Sequence, residues 1–127
     1  MKYINVVGAV LMRDGAILAA RRGGSKALAG LWEFPGGKIE PGESPTGALQ
    51  REIIEELNCD IDVKGFLTTT EYEYSFGTVI LSTYLAELRG EDPMLTEHTE
   101  IRWLRPEELF TVDWAPADIP AVEMLQK

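Results

Sequence analysis

The chain has 127 residues, 45% of them hydrophobic, and a formal net charge of −9. That length suits one domain with a core of its own, spanning residues 1–127, and is short for two. The acidic balance argues against duplex nucleic acid as a partner, because binding it means matching many phosphates with Lys and Arg; a small phosphorylated ligand stays open if cations accompany it. No apolar run approaches the roughly 18 residues that suggest a membrane span, so no membrane partner is expected. The single cysteine, Cys59, has no partner for an internal disulfide and joins no zinc-like cluster. A cytoplasmic protein, monomer or homodimer, is the simplest expectation.

Residues 3–12 and 16–21 alternate as two strands around an Asp14-Gly15 turn. A loop follows over residues 23–30, then a short apolar segment, Leu31-Trp32-Glu33-Phe34, stopped by Pro35-Gly36-Gly37. Ser44-Pro45 predicts a helix start, with serine as N-cap and proline in the first helical position. That helix should end near Leu57, at Asn58, a residue that tolerates the left-handed conformation of a helix terminus. Residues 61–74 and 77–88, rich in Val, Ile, Thr, Tyr and Phe, predict an antiparallel pair with Gly77 between them. "EIRWL" reads as another strand, Pro106-Glu107-Glu108-Leu109 as a helical turn, and residues 116–127 as a closing helix. The order implies an α/β domain: one mixed sheet with helices on its faces.

Within the first helix, Leu49, Ile53 and Leu57 fall on one apolar stripe, with Ile54 in support. Glu52, Glu55 and Glu56 form a second stripe beside it, so these carboxylates border the buried face. Like charges three and four residues apart repel, and partial burial raises the cost. A solvated acidic face is one explanation. The other is a hard divalent cation such as Mg²⁺, which takes carboxylate oxygens together with substrate phosphates.

Spacing decides between them. Gly37 is followed after five residues by Glu43, and after seven more by Arg51-Glu52-Ile53-Ile54-Glu55-Glu56. This resembles the Nudix box, Gly-x5-Glu-x7-Arg-Glu-apolar-x-Glu-Glu-x-Gly-apolar, at every position through Glu56. Asn58 and Cys59 depart from the usual glycine and aliphatic residue. Both are mild changes, since Asn is the next-best left-handed cap and buried Cys behaves as a small hydrophobe. Across nearly its whole length, and most closely in "LWEFPGGKIEPGES" and "WAPADIP", the chain is similar to the MutT group of that family. The resemblance implies a Nudix α/β/α sandwich and metal-dependent hydrolysis of a nucleoside triphosphate to the monophosphate and pyrophosphate.

The resemblance also implies roles. Glu52, Glu56 and the carbonyl of Gly37 match metal-binding positions, with Glu55 as a further ligand or its support, and Mg²⁺ or Mn²⁺ as the ion. Glu52 is the first choice for general base. Arg51 reads as structural, bridging Glu43. Glu97 corresponds to a loop glutamate that reaches the metals in relatives, or is an exposed acid; His98 beside it reads as a surface histidine. Arg22, at a strand end, is a candidate to contact the substrate's phosphate or base, and Lys38 the phosphates; the alternative for both is solvent. Phe34 is a candidate to stack on the nucleobase, and Glu33 and Asp118 to accept its hydrogen bonds. The alternatives are core packing for Phe34 and a helix N-cap for Asp118. A carboxylate suits the amino group of cytosine and the N–H edge of guanine alike, so CTP-type and 8-oxo-dGTP-type substrates both remain. ADP-ribose or dinucleoside polyphosphate hydrolases, and a non-enzymatic nucleotide-binding module, are the competing classes.

Overall fold

The computed structural model describes residues 2–24 and 27–127; positions 25 and 26 of the expected 23–30 loop lie outside the described residues. In chain order the strands are β1 (Tyr3–Arg13), β2 (Ala16–Arg21), β3 (Trp32–Glu33), β4 (Gly36–Lys38), β5 (Ile61–Tyr74), β6 (Gly77–Leu88) and β7 (Glu100–Leu104). Helix α1 (Pro45–Leu57) follows β4, and α2 (Ile119–Leu125) closes the chain after two 3₁₀ segments, Pro106–Thr111 and Pro116–Asp118. Among the described residues no helix is long and apolar enough to cross a membrane.

The β1–β2 turn uses Asp14 (φ 52°) and Gly15 (φ 79°), the left-handed pair that matches the twist of a tight hairpin. β1 then organises the sheet. It runs parallel to β6 from Tyr3↔Thr78 to Leu11↔Ala86 and antiparallel to β4 from Val6↔Lys38 to Gly8↔Gly36. The order β3-β2-β1-β6-β5, with β7 on β2 and β4 on β1, makes the sheet mixed, as expected.

Alternation along β1 and β2 feeds two cores. Val7, Ala9, Leu11 and Leu18 pack with Ala48, Leu49, Ile53 and Leu57 of α1. Val10, Ile17 and Ala19 face the other way, against Leu109, Trp114, Ala121 and Val122. The period-2 geometry of a strand produces this split directly. Each fully buried Leu or Ile contributes about 1.5–3 kcal/mol by leaving water, which is what fixes α1 on the sheet.

Helix α1 begins and ends as expected. Ser44 Oγ accepts from the Gly47 N–H at 3.1 Å, and Asn58 ends the helix at φ 52°, its N–H bonded to the Ile54 carbonyl. Cys59 is buried as a small hydrophobe. Ile54, however, does not join the apolar stripe: it is 51% exposed, because one step round from Ile53 already turns it off the sheet. Two further expectations change. Gly36-Gly37 is more than a stop, since it forms β4. The closing helix is split, because Pro120 has no N–H to give the Pro116 carbonyl; Ile119 donates to it instead, tightening the turn to 3₁₀.

Candidate active site

The double glycine sets the site's shape. A Cβ on Gly36 would lie 1.9 Å from the Val7 carbonyl oxygen, and one on Gly37 would lie 1.5 Å from Glu52 Oε2. Only a bare α-carbon lets β4 pass between β1 and the glutamates of α1. The Gly36 N–H donates to Glu56 Oε1 at 3.0 Å, tying strand and helix together.

Arg51 holds this frame from behind. Its Nε and Nη2 donate to the two carboxylate oxygens of Glu43 at 2.6 and 2.8 Å, and Nη2 also reaches the Lys38 carbonyl at 3.0 Å. Nη1 donates to Glu52 Oε1 at 2.7 Å. Such a two-pronged ion pair fixes orientation as well as distance. The Arg51 hydrogen bonds, helped by the Glu40 N–H, hold the Glu43 carboxyl down to about 2.

In front of Arg51 opens a cavity of about 530 Å³. One end is lined by Gly37, Lys38, Glu52, Glu55, Glu56 and Glu97. Arg22, Glu33, Phe34 and Asp118 line it further along. The candidate residues named from sequence thus meet in one place, with Arg51 and Glu43 supporting it from outside. Charge is crowded there. Burial first, then the charge of Glu33, pushes the Glu56 carboxyl up to about 8, with Glu52 and Glu97 adding to the rise and the Gly36 N–H opposing it. Burial also raises Glu52, against the pull of Arg51. Glu55 stays more open, its side chain 55% exposed and within 3.3 Å of Arg51 Nη1.

The donor chemistry suits a hard divalent cation. The carboxylates at this end offer oxygens and surplus negative charge, with Glu56 pushed towards neutrality by burial and by its acidic neighbours. Glu52 and Glu56 each engage Oε1 in the bonds just described, leaving Oε2 for an ion. Among the described residues, no three His, Cys, Asp or Glu side chains are already gathered into a metal-sized cluster.

At the other end, Asp118 is almost fully enclosed and Oδ2 accepts from the Phe34 N–H at 3.0 Å. Its side chain makes no capping bond to α2. Burial, followed by the charge of Glu33, pushes its carboxyl well above the usual range; the Phe34 N–H and Arg22 pull the other way. The Phe34 ring is 3% exposed and packs against Trp114 at 4.8 Å between centroids. Arg22 Nη1 donates to Glu33 Oε1 at 2.7 Å, and its Nε to the Ala27 carbonyl at 2.8 Å.

His98 is a correction. It is buried at 8% exposure, with Nε2 2.9 Å from Glu33 Oε2. Its flanking acids and threonines suggested a surface loop, and only the return of that loop to β3 buries it. Sequence reasoning also missed the apolar floor of the cavity, Ile4, Val6, Val79 and Leu81. Strand alternation puts Ile4 and Val6 on the face of Val10, but where α2 stops covering that face is a tertiary matter. Tyr74, another lining residue, accepts the Ala117 N–H on its hydroxyl at 2.9 Å, beside Asp118.

Known proteins share this arrangement of sequence and fold. The NUDIX domain family model matches residues 2–125. The chain is 41% identical to the CTP pyrophosphohydrolase of Escherichia coli (strain K12), over 97% of this chain and 91% of that protein. It is 30% identical to the 8-oxo-dGTP diphosphatase of the same strain, over 100% and 99%. The solution structure of DNA mismatch repair protein MutT, a Nudix hydrolase from methicillin-resistant Staphylococcus aureus, matches with a TM-score of 0.81 at 51% identity, covering 98% of this chain and 96% of that one. A family model spanning all but the outermost residues, and relatives this similar over nearly their full lengths, put the chain in the Nudix hydrolase family.

Proposed function

We propose that this protein hydrolyses nucleoside triphosphates to the monophosphate and pyrophosphate, with Mg²⁺ as the ion, Mn²⁺ able to replace it, and cytosine nucleotides as the preferred substrates. The observation that carries the reading is one cavity with the box glutamates at one end and the enclosed Asp118 at the other. A polyphosphate enters so acidic a space only with cations, and a base at the far end meets a polar reader on apolar walls.

Nudix hydrolases in general need a divalent metal. Glu52, Glu56 and the Gly37 carbonyl would hold it, with Glu55 and Glu97 in support; when bound it neutralises phosphate charge and acidifies water. Glu52 is the residue to take the proton from the attacking water, and Arg51 fixes its carboxylate for that task. Arg22 and Lys38 supply positive charge along the phosphate chain. Glu33 and Asp118 read the base while the Phe34 main chain holds Asp118 in position. A carboxylate oxygen at this place suits the exocyclic amino group of cytosine as an acceptor.

Greater identity to the CTP pyrophosphohydrolase than to the 8-oxo-dGTP diphosphatase, 41% against 30%, supports the cytosine preference. The second reading, removal of 8-oxo-dGTP from the nucleotide pool, draws on the latter relative's full-length match. The test is pyrophosphate release with Mg²⁺ from CTP, dCTP, 5-methyl-dCTP, 8-oxo-dGTP, dGTP and ADP-ribose, compared as kcat/KM. Highest kcat/KM for a cytosine nucleotide is the expected result. A sharp preference for 8-oxo-dGTP transfers the assignment to that branch, and no turnover of any of them removes the enzymatic reading.

A further inference from the structure

The segment between β6 and β7 is tied at four points to the elements that frame the cavity. The Met94 N–H donates to the Leu57 carbonyl at 2.8 Å, and Thr96 Oγ1 to the Glu56 carbonyl at 2.5 Å. Both ties land on the C-terminal end of α1, the helix that carries the glutamates. The other two land on the opposite wall: His98 Nε2 on Glu33 Oε2 at 2.9 Å, and the Thr99 N–H on the Arg21 carbonyl at 3.0 Å. Glu97 lies between the two pairs and lines the cavity.

We infer that His98 is a positioning residue that couples the two ends of the site: it clamps the Glu33 carboxylate and, through the strap it anchors, sets where Glu97 stands relative to Glu56. Glu33 is held from two sides, Oε1 by Arg22 and Oε2 by His98, so both carboxylate oxygens have a partner that orients them. The bland explanation is a core histidine that fills space. Against it, Nδ1 has no hydrogen-bond partner among the described residues, so the contact to Glu33 is what compensates for burying a polar ring. A leucine would fill the same space without that penalty. The adjacency of His98 to Glu97 makes one anchor serve both the base-reading wall and the carboxylate end.

The inference rests on the proposed function for the names of the two ends, and two variants and two readouts separate them. His98→Leu keeps bulk and removes the donor, whereas His98→Gln can return an amide N–H to the place of Nε2. Mn²⁺ binding to the nucleotide-free protein, followed by electron paramagnetic resonance, needs no turnover. Ratios of kcat/KM between cytosine and guanine nucleotides report base reading. His98→Leu is expected to weaken Mn²⁺ binding and to flatten the base ratio, each roughly tenfold, the scale of one lost hydrogen bond to a charged group. His98→Gln is expected to restore both. Unchanged Mn²⁺ binding and base ratio in His98→Leu, whatever its melting temperature, would overturn the inference, as would a His98→Gln protein no better than His98→Leu. If His98→Leu does not fold, His98→Met removes the same nitrogen with a more adaptable side chain and is held to the same two readouts. A wild-type protein inert on every nucleotide sinks the proposed function instead, and the Mn²⁺ comparison still decides the role of His98.

Discussion

The two ends of the cavity are built in different ways. Apart from Glu97, the carboxylate end comes from one continuous stretch, residues 36–57, in which a double glycine, a capped helix and an Arg51–Glu43 pair supply their own geometry. The base end is assembled from afar: the Phe34 N–H meets an Asp118 carboxylate 84 residues away, and Glu33 meets His98 at a separation of 65. A contiguous site can be carried intact within a family, because its spacing is set by one helix and one turn. An assembled site can change its reader by one substitution without disturbing the chemistry. The difference predicts that damage at the first end is blind to the nucleobase, while damage at the second is not.

The largest effect should come from Glu56→Gln. It keeps the shape and removes a negative ligand, and turnover should fall about a thousandfold or more on every nucleotide alike. Circular dichroism should show the fold retained; near-normal turnover with Mg²⁺ would end the ligand assignment. Gly37→Ala is the next test. Its methyl group would collide with Glu52 Oε2, a side chain that can swing away, so turnover should drop on the order of a hundredfold with little change in melting temperature. A large loss of stability with normal kcat would show that the glycine serves the fold and not the site. Asp118→Ala should change the ratio of kcat/KM between cytosine and guanine nucleotides by roughly tenfold and leave the Mg²⁺ requirement alone. Equal losses on all nucleotides would make Asp118 structural and erase the contrast between the ends.

The last test concerns stability and pH, not turnover. Glu56 titrates at about 8 when folded and at an ordinary 4.5 when exposed. Between these values the folded state binds the extra proton, so the metal-free protein should lose stability as pH rises from 4.5 to 8 and level off above. Glu56 alone contributes at most about 1.4 kcal/mol per pH unit over that window. Chemical denaturation across the range should show the slope in the wild type and a flatter one in Glu56→Gln. Saturating Mg²⁺ should reduce it too, since a cation stabilises the charged form. Parallel profiles for wild type and variant would place the titration on another group.

What the amino-acid sequence determined by itself was everything local. Ser44-Pro45 starts α1 and Asn58 ends it because caps depend on a few neighbouring residues. The stripe of Leu49, Ile53 and Leu57 beside the glutamates follows from 3.6 residues per turn, and Arg51 reaches Glu43 because loop and helix are joined by a short link. The parallel pairing of β1 with β6 was not legible, since no turn connects these strands. Nor was β4, whose strand character comes from lying against β1 and not from its own two glycines. His98 looked like a surface residue until its strap crossed back to Glu33. Ile54 looked buried until the sheet chose one side of the helix. Such features depend on which surfaces meet, and that is set by the packing of the whole sheet, where a contact between distant segments outweighs the preference of any residue taken alone.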